Sequence, residues 1–436
     1  MTIVEPGTQV HGIEEVVSTM AGTVAGVKSL ATTREASAWR CEVVRTAQDM
    51  EALADEWRAL ERQAGRGAQA FQSSAWGLAW EDAFRGLNGA KYEPHVIVVR
   101  NGAGRAVLIW PLMRVRYPLK LTLLTWLSDP FGQYGDVITA LSGTALHEAM
   151  KAALDMLKAD DGGDLLRLKF VRADAVAAPF LREHALQTAE EYGAPWLDLS
   201  PYATPDDLEK RYNRTQRRRR RKIVNRLKKH LGVEPSFRRL MDVDEIRAAI
   251  PVMLENKRQW LREKGLVSRA LFHDRAEAFF LRLAERMMAD AEGPDFVLSV
   301  LEANGEQLSW EMGFRWKGRH IAYMTAQRPD VRTFSIGRLH MHHSQSLAVA
   351  DGMEVFDLLV PAAPHKESWS SHVEEVRNYF LPLSLRGRLL GQTYLCHLRP
   401  MLREAYHRLP AGVRSFLHLS DIHEHDKAEA CPQGAH

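Results

Sequence analysis

Residues 323–369 decide the fold, and they read YMTAQRPDVRTFSIGRLHMHHSQSLAVADGMEVFDLLVPAAPHKESW. An apolar strand and a polar loop come first, and Ser335-Ile-Gly-Arg338 then begins a helix. A buried strand, residues 355–360, follows that helix. A glycine in the first helical turn lets backbone N–H groups approach an anion, and the helix dipole favours negative charge there. The stretch therefore predicts a diphosphate-binding turn between a strand and a helix.

The order helix, helix, strand meander, helix, strand occurs twice along the chain, without a residue-level repeat. Hairpin turns mark each meander, Asn101-Gly-Ala-Gly104 in the first half and Asn304-Gly305 in the second. This order predicts an α/β (α+β) fold with two related domains, each a mixed central sheet flanked by helices. The predicted divisions are a disordered lead at 1–38, a first domain at 39–200, a connecting helix at 201–232, a second domain at 233–384, and a helical basic extension and tail at 385–436.

Two helices of this prediction depend on periodicity alone. Residues 177–192 are expected to form one helix in the first half. A second helix is expected to begin at Thr204, which precedes Pro205 and two acidic residues, and to continue to Leu231 along one apolar face.

The second of these helices carries most of the unusual charge. The chain has 436 residues, 58 of them Lys or Arg and 55 Asp or Glu, for a net charge of +3. Twelve of the basic residues and none of the acidic ones lie between 210 and 229. Such a run is typical of a solvated helix face or a contact with an anionic co-substrate. A peripheral contact with an anionic membrane or polysaccharide machinery is a second interpretation, and nucleic acid is the least favoured.

Three cysteines lie far apart, which excludes a disulfide scaffold. The sequence offers no apolar run of about 18 residues, the length needed to span a bilayer. The N-terminus carries Glu5, Glu14 and Glu15 where a signal peptide needs positive charge. We therefore expect a cytoplasmic protein, with a peripheral position at the inner face of the membrane as a further expectation.

Several motifs resemble the CelD/BcsL-type branch of the GNAT superfamily, a group with a BioF-like acetyltransferase domain linked to cellulose and exopolysaccharide biosynthesis. The branch's Gly-x-Leu helix start is matched by residues 337–339, and its G-x-x-x-FDF strand by 352–358. Its YK-x-x-W loop is matched by 365–369, and its N-terminal PFQSPAW motif by 71–76. The sequence departs from the pattern at His365, which replaces a tyrosine, and at 360–364, where the usual glycine is absent. The resemblance covers roughly residues 40–385 and implies two tandem GNAT-like domains.

The resemblance also implies an enzyme that uses acyl-CoA, with acetyl-CoA foremost, to acylate a nitrogen or oxygen of a sugar or polysaccharide-related acceptor. The second half would hold the co-substrate, and the cleft between the halves would hold the acceptor. Two alternatives stay open. One is a Fem-like transferase that depends on aminoacyl-tRNA, and the other is a non-catalytic protein that binds nucleic acid or an anionic surface. The sequence gives no oligomeric state.

Candidate site residues follow from the motifs and from what acyl transfer requires. Three side chains are candidate bases for the acceptor proton, and Tyr323 is the candidate acid for the leaving thiolate; the bases are Glu311, Asp357 and His365. The residues expected at the co-substrate are Arg332, Ser335, Ile336, Gly337, Arg338 and Leu339. Those expected at the acceptor are Asp129, Tyr134, Asp136, Lys366 and Trp369. We predict no metal, because His340 and His343 stand at helical spacing without an evident third ligand.

Overall fold

The computed structural model describes residues 39–85, 92–117, 121–160, 163–264, 266 and 268–389. The predicted lead at 1–38 and most of the predicted extension at 385–436 lie outside the described residues.

In the first half, two helices follow a first strand, and a run of short strands precedes the next pair of helices. The strands are β1 (Arg40–Val44), β2 (Tyr92–Pro94), β3 (Val96–Arg100), β4 (Ala106–Trp110), β5 (Leu112–Arg116), β6 (Thr122–Trp126), β7 (Ile138–Thr139), β8 (Leu165–Arg172) and β9 (Leu186–Asp198). The helices are α1 (Ala47–Ala64), α2 (Ser74–Phe84), α3 (Gly143–Ala159) and α4 (Ala178–His184).

In the second half, helices flank a meander of long strands. The helices are α5 (Pro205–Arg211), α6 (Arg214–Leu231), α7 (Val243–Glu263), α8 (Ala276–Ala289), α9 (Ile336–Ala350), α10 (Pro364–Glu367) and α11 (Leu385–Arg388). The strands are β10 (Ser236–Leu240), β11 (Asp295–Ala303), β12 (Glu306–Trp316), β13 (Arg319–Gln327), β14 (Val355–Asp357) and β15 (His372–Pro382). A 3-10 turn, Pro329–Phe334, joins β13 to α9.

Side-chain caps define where the first helices begin. The Thr46 hydroxyl accepts a hydrogen bond from the Asp49 amide at the start of α1, and Ser73 accepts one from the Trp76 amide at the start of α2. Each cap satisfies an amide that the helix itself leaves free.

One sheet runs through both halves of the molecule. Its order is β10-β11-β12-β13-β14-β9-β15-β8-β6-β5-β2, and a smaller sheet has the order β1-β3-β4-β7. Because β9 pairs antiparallel with both β14 and β15, a strand of the first half lies within the strands of the second. The mixed α/β class is confirmed. The sheet passes across residue 200 without a break, and the predicted domain limits stay predictions.

The expected helix at 177–192 is wrong. Helix α4 ends at His184, and β9 begins two residues later. Residues 186–196 pair with β15, and residues 196–198 pair with β14, and such pairing outweighs a helical pattern read from one sequence. An added Cβ at Gly193 would lie 2.6 Å from the Val373 side chain, so close packing against β15 needs a glycine there.

The expected single helix from Thr204 to Leu231 is two helices. The Asn213 side chain accepts a hydrogen bond from the Gln216 amide, and the Gln216 side-chain oxygen accepts one from the Asn213 amide. This capping box starts α6 anew after α5 has ended. No helix in the described part of the chain has the length and apolar character required to cross a membrane.

Candidate functional site

The strands β13 and β14 part beside α9. They pair in parallel at three positions, the last of which joins Ile321 to Asp357. Strand β13 continues to Gln327, whereas β14 ends and the chain turns at Leu359, which has a φ of 61°. We call the opening between residues 322–327 and residues 358–361 the wedge. Along it, within the described chain, backbone groups of β13 have no partner in β14.

The N-terminus of α9 lies at the wide end of the wedge. Ser335 occupies the cap position in the left-handed conformation, and its side chain makes no capping hydrogen bond. A Cβ added to Gly337 would lie 2.4 Å from Nε2 of Gln327, the last residue of β13. Ser335 and Arg338 are exposed, while Ile336 and Leu339 are buried. The predicted turn is thus accessible at its amides and anchored by its apolar side chains.

Five basic side chains surround this turn, and we call them the cationic rim; they are Lys257, Arg332, Arg338, His365 and Lys366. Burial, together with the charge of Arg332, lowers the pKa of Lys257 to about 8. Desolvation, followed by the charges of Lys366, Lys257 and Arg338 among others, lowers the pKa of His365 to about 4. Charges that act on one another in this way create a positive potential at the turn.

Arg332 differs from the other members of the rim because its guanidinium is already bound. It forms an ion pair with Glu263 and donates to the Asn256 carbonyl at 3.1 Å and to the Gln327 carbonyl at 3.3 Å. These contacts fasten the 3-10 turn to α7. Arg332 therefore shapes the turn, and its charge contributes to the potential there.

Lys366 lies against the short side of the wedge. Its Nζ donates to the carbonyls of Leu359 at 3.0 Å and Pro361 at 2.8 Å. Burial lowers its pKa to about 7. Trp369, predicted with it, is buried and packs on Tyr212 with ring centroids 5.6 Å apart, so its side chain supports the loop from within.

Asp357, the last residue of β14, bonds to side chains of both halves of the molecule. It is fully buried and accepts hydrogen bonds from the Tyr134 hydroxyl at 2.8 Å, the Leu359 amide at 2.8 Å, Arg319 at 2.7 Å and Arg172 at 3.4 Å. Burial and the Asp357 charge raise the pKa of Tyr134. The structure thus brings together one residue predicted for catalysis and one predicted for the acceptor.

A cavity of about 230 Å³ adjoins this cluster, between the two halves. Its wall includes Tyr134, Arg172 and Arg319, together with Arg66 and Asp136. Both halves contribute charged groups to this cavity, and the first half adds the Tyr134 ring.

The two predicted acceptor-binding carboxylates hold the loop that carries Tyr134. Asp136 is buried and accepts from Gln69 at 2.8 Å and from the amides of Val176 and Ala177 at 3.0 and 2.9 Å. Asp129 lies 3.0 Å from an Arg167 nitrogen. These bonds fix the loop against neighbouring elements.

The remaining two predicted catalytic residues lie on different faces of the sheet. Glu311 is buried beneath α9, 3.2 Å from Nε2 of His320, and this hydrogen bond lowers its pKa against the effect of burial. The Tyr323 side chain points the other way, at a register shift between β12 and β13, and its hydroxyl donates to the Phe131 carbonyl at 2.9 Å. Burial raises its pKa. The structure therefore does not bring Glu311, Tyr323, Asp357 and His365 to one point.

The histidines of α9 have separate environments. His340 is buried between Ser299 and Ser309, with each ring nitrogen 2.8 Å from a hydroxyl. His343 stacks on Phe237 with ring centroids 4.2 Å apart. These two side chains do not form a metal pair in the structure.

Part of the basic run faces a groove between α6 and α9. The groove has a volume of about 620 Å³, and Arg217, Arg220 and Arg221 line it opposite His342 and His343. Arg220 pairs with Glu209 and lies 4.5 Å from the centroid of the Tyr212 ring. We call this feature the basic groove.

Four charged residues of these sites were absent from the sequence prediction, namely Arg66, Arg172, Lys257 and Arg319. Strand alternation offered a signal for Arg319. Residues 319 and 321 share one face of β13, and Ile321 is the residue paired with Asp357. Lys257 and Arg172 come from elements distant in sequence, and no motif marks them.

Residues 214–367 match the family model described as "Acetyltransferase (GNAT) domain". This chain carries a GNAT acetyltransferase domain. The match includes β13, the turn, α9, β14 and Lys366. The protein is an acyltransferase, and the non-catalytic alternative is thereby set aside. A GNAT fold generally implies an acyl-CoA co-substrate.

Solved structures resemble the fold over most of its length. A crystal structure of FemX has a TM-score of 0.55 at 12% identity, with 81% of this chain and 99% of that chain covered. A conserved protein of unknown function from Bacteroides thetaiotaomicron has a TM-score of 0.48 at 10% identity, covering 78% and 100%. A tandem GNAT protein from the clavulanic acid biosynthesis pathway has a TM-score of 0.42 at 12% identity, covering 79% and 99%.

No curated protein matches the chain significantly. The fold is two tandem GNAT-like units that share a sheet, as predicted, and the family match lies in the second unit. The CelD/BcsL branch finds no named relative among these matches.

Proposed function

We propose that the protein transfers an acyl group from acyl-CoA, with acetyl-CoA as the first candidate, to a nitrogen or oxygen of a sugar or polysaccharide-related acceptor. A role in cellulose or exopolysaccharide biosynthesis, as in the CelD/BcsL-type branch, is part of the proposal. The observation that carries it is the uncapped N-terminus of α9, which opens at the wide end of the wedge within the cationic rim.

The residues at the turn fit a diphosphate. The first amides of a helix point along its axis toward any bound anion, and the helix dipole favours negative charge there. Ser335 and Arg338 are exposed, so an anion can reach the amides of the turn, and Gly337 places no side chain over them. Lys257, whose pKa is about 8, adds charge from α7. Acyl-CoA, when bound, supplies an activated thioester.

Backbone groups of β13 are proposed to orient the acyl carbonyl. Beyond Ile321 the strand has no β14 partner along the described wedge, so N–H groups on that side are available to a carbonyl oxygen. A fixed donor in a water-poor site stabilises the negative charge that develops during acyl transfer. The wedge therefore offers a place for the acyl group and, along β13, N–H groups that can polarise its carbonyl.

Lys366 has the pKa best suited to a base that removes the proton from the acceptor. A base works best when its pKa lies near the working pH. The pKa of Lys366 is about 7, whereas that of His365 is about 4, so the neutral amine of Lys366 is the stronger base of the two. Its Nζ is fixed at the wedge by two carbonyls. His365 then lies at the rim without acting as the base.

Asp357 is proposed to act as a positioning residue. Four donors occupy its two oxygens, which leaves it little capacity to take a proton from an acceptor. It holds Tyr134, Arg172 and Arg319 along the cavity between the halves. Those side chains, with Arg66, suit an acceptor that carries hydroxyl groups and negative charge.

Calorimetric titration with acetyl-CoA tests the co-substrate site. Wild type is expected to bind, and Gly337→Glu is expected to weaken binding at least 10-fold by placing a carboxylate at the turn. Gly102→Glu is the matched control, because a Cβ there meets nothing within 4 Å. Gly337→Ala displaces only the flexible end of Gln327 and checks that the fold tolerates a side chain. Equal affinity in wild type and Gly337→Glu would overturn the proposed site.

The basic groove favours a second candidate, a transferase that depends on aminoacyl-tRNA. Three arginines and two histidines along about 620 Å³ suit a phosphate backbone as well as a smaller anion. Incubation with aminoacyl-tRNA or with acetyl-CoA, each with a panel of sugar acceptors, separates the two. Transfer from aminoacyl-tRNA alone, lost in Arg217→Gln/Arg221→Gln, would support the second candidate against the first.

A further inference from the structure

A cluster of two imidazoles and a carboxylate lies far along the chain from the acyl-transfer region. His147 projects from α3, and Glu183 and His184 are the last two residues of α4. One ligand atom from each residue can be chosen so that all three lie within 4.8 Å of one another. The cluster stands apart from the wedge, the cationic rim and the basic groove.

The individual distances suit one ion shared by the three side chains. Nδ1 of His147 lies 3.8 Å from Oε2 of Glu183, and Nε2 of His184 lies 3.6 Å from Oε1 of the same carboxylate. Ligand atoms about 2.0–2.2 Å from a tetrahedral ion are separated by roughly 3.3–3.6 Å. Small side-chain rotations are enough to bring the cluster to that geometry.

The environment of His184 gives a second reason for a ligand. Its Nε2 atom is buried and has no hydrogen-bond partner among the described residues. A buried polar atom without a partner is costly, and proteins rarely leave one so. Here the orphaned nitrogen is directed toward the carboxylate side of the cluster.

Aromatic packing fixes the two imidazoles. Phe180 packs against His184 with ring centroids 4.3 Å apart and against His147 at 5.4 Å. The two imidazole centroids are 5.3 Å apart. A phenylalanine behind both rings restricts their rotation, and restricted ligands lose less entropy when an ion binds.

We propose that His147, Glu183 and His184 bind one divalent transition-metal ion, with Zn²⁺ as the ion best suited to this set. Two imidazole nitrogens and one carboxylate are ligands that Zn²⁺ accepts, whereas Mg²⁺ and Ca²⁺ prefer oxygen ligands throughout. Because Glu183 is 61% exposed, water completes the coordination. The sequence did not reveal this set, since His147 is remote from the other two residues.

The ion would fasten α3 to the end of α4, immediately before β9. Strand β9 pairs with β14 and β15 of the second half. The ion would therefore stabilise the segment that leads into this pairing. An ion that binds only the folded state, at free concentration c, stabilises it by RT ln(1 + c/Kd), so the unfolding temperature rises with the concentration of free ion. The role inferred for the metal is therefore structural.

Titration of the full-length, chelator-treated protein with ZnCl₂ tests the proposal, with Co²⁺ absorption as a second readout. Wild type is expected to bind one equivalent and to unfold at a higher temperature with Zn²⁺. His147→Gln and His184→Gln are expected to lose both effects. Glu183→Gln alters an exposed side chain and is expected to weaken binding at least 10-fold even if a histidine variant fails to fold.

The matched control is His423→Gln/His425→Gln, because residues 418–425 contain three further histidines. This control is expected to bind as wild type does. Absence of Zn²⁺ binding in wild type would overturn the proposal. Binding that survives in Glu183→Gln and the histidine variants, or that disappears in the control, would also overturn it by placing the ion elsewhere.

Discussion

The Tyr134 hydroxyl donates a 2.8 Å hydrogen bond to Oδ1 of Asp357, across 223 residues of sequence. The bond is buried and connects a loop of the first half to the last residue of β14 in the second. The other Asp357 oxygen receives Arg319 and Arg172, so one carboxylate organises groups from both halves. The wall of the cavity between the halves consequently depends on a single buried anion.

Tyr134→Phe removes the hydroxyl and leaves Oδ1 of Asp357 with one donor fewer. Loss of a hydrogen bond to a buried charge costs about 1–3 kcal/mol. We expect the free energy of unfolding, measured by urea denaturation, to fall by that amount. Tyr202→Phe, a tyrosine outside the network, serves as control. A denaturation midpoint for Tyr134→Phe equal to that of wild type would show that the bond contributes nothing to stability.

Lys366 is expected to titrate near neutrality. Burial lowers its pKa to about 7, and that of Lys257 to about 8, while the Asp207 hydrogen bond raises the pKa of the exposed Lys210. NMR of ¹³C-methylated lysines should therefore show two amines that lose their proton below pH 9. Assignment follows from Lys366→Met and Lys257→Met, each of which should remove one of these resonances.

The same amine should set the pH dependence of transfer if it takes the acceptor proton. The rate should rise with pH and level off above about pH 7, because the neutral form of Lys366 is then dominant. Lys366→Met should lower kcat/KM and abolish this rise, whereas His365→Gln should leave its midpoint in place. A midpoint unchanged in Lys366→Met would assign the proton transfer to another group.

Variants of two arginines of the cationic rim should differ in their effects on acetyl-CoA binding and on protein stability. Arg338 is exposed beside the α9 amides, so Arg338→Ala should weaken acetyl-CoA binding several-fold with little change in unfolding. Arg332 fastens the 3-10 turn to α7 through Glu263, so Arg332→Ala should lower the denaturation midpoint as well. Calorimetry and urea denaturation on both variants check this. Identical behaviour of the two variants would contradict the different roles.

The sequence predicted the elements whose signals are local. The start of α9 and the Asn304-Gly305 turn of the β11–β13 meander both follow from adjacent residues. Gly337 was identified from its place in the first turn of a helix that follows a strand and a polar loop, although a glycine is common at helix starts. These features needed no knowledge of distant contacts.

Long-range pairing explains what the sequence did not predict. Residues 186–192 have a helical pattern, yet they form the first part of β9 because they pair with β15, a strand almost 200 residues later in the chain. The site followed the same rule. Asp357 and Tyr134 were each identifiable from their motifs, but the bond between them and the approach of Lys257 to α9 arise only from the packed fold.

Glu61 should make stability decrease as the pH rises. It is buried, and it accepts hydrogen bonds from the amide and hydroxyl of Ser74 at the start of α2. Burial nevertheless raises its pKa from 4.5 to about 8. Between these values the folded protein holds a proton that the unfolded chain releases, so folding is favoured most below pH 4.5 and loses this contribution as the pH approaches 8.

Glu61→Gln should abolish that dependence because glutamine does not ionise. Urea denaturation of wild type and variant at pH 5 and pH 8.5 gives the difference in unfolding free energy at each pH, at about 1.4 kcal/mol per unit of pKa shift. Wild type should lose stability relative to the variant between the two values. Glu56→Gln is the control with a flat profile, because the Arg100 hydrogen bond lowers the pKa of Glu56 and the carboxylate is then largely ionised in both states between these pH values. A difference between wild type and Glu61→Gln that is the same at both pH values would mean that Glu61 is ionised in the folded protein throughout, with the Ser74 amide and the α2 dipole outweighing its burial.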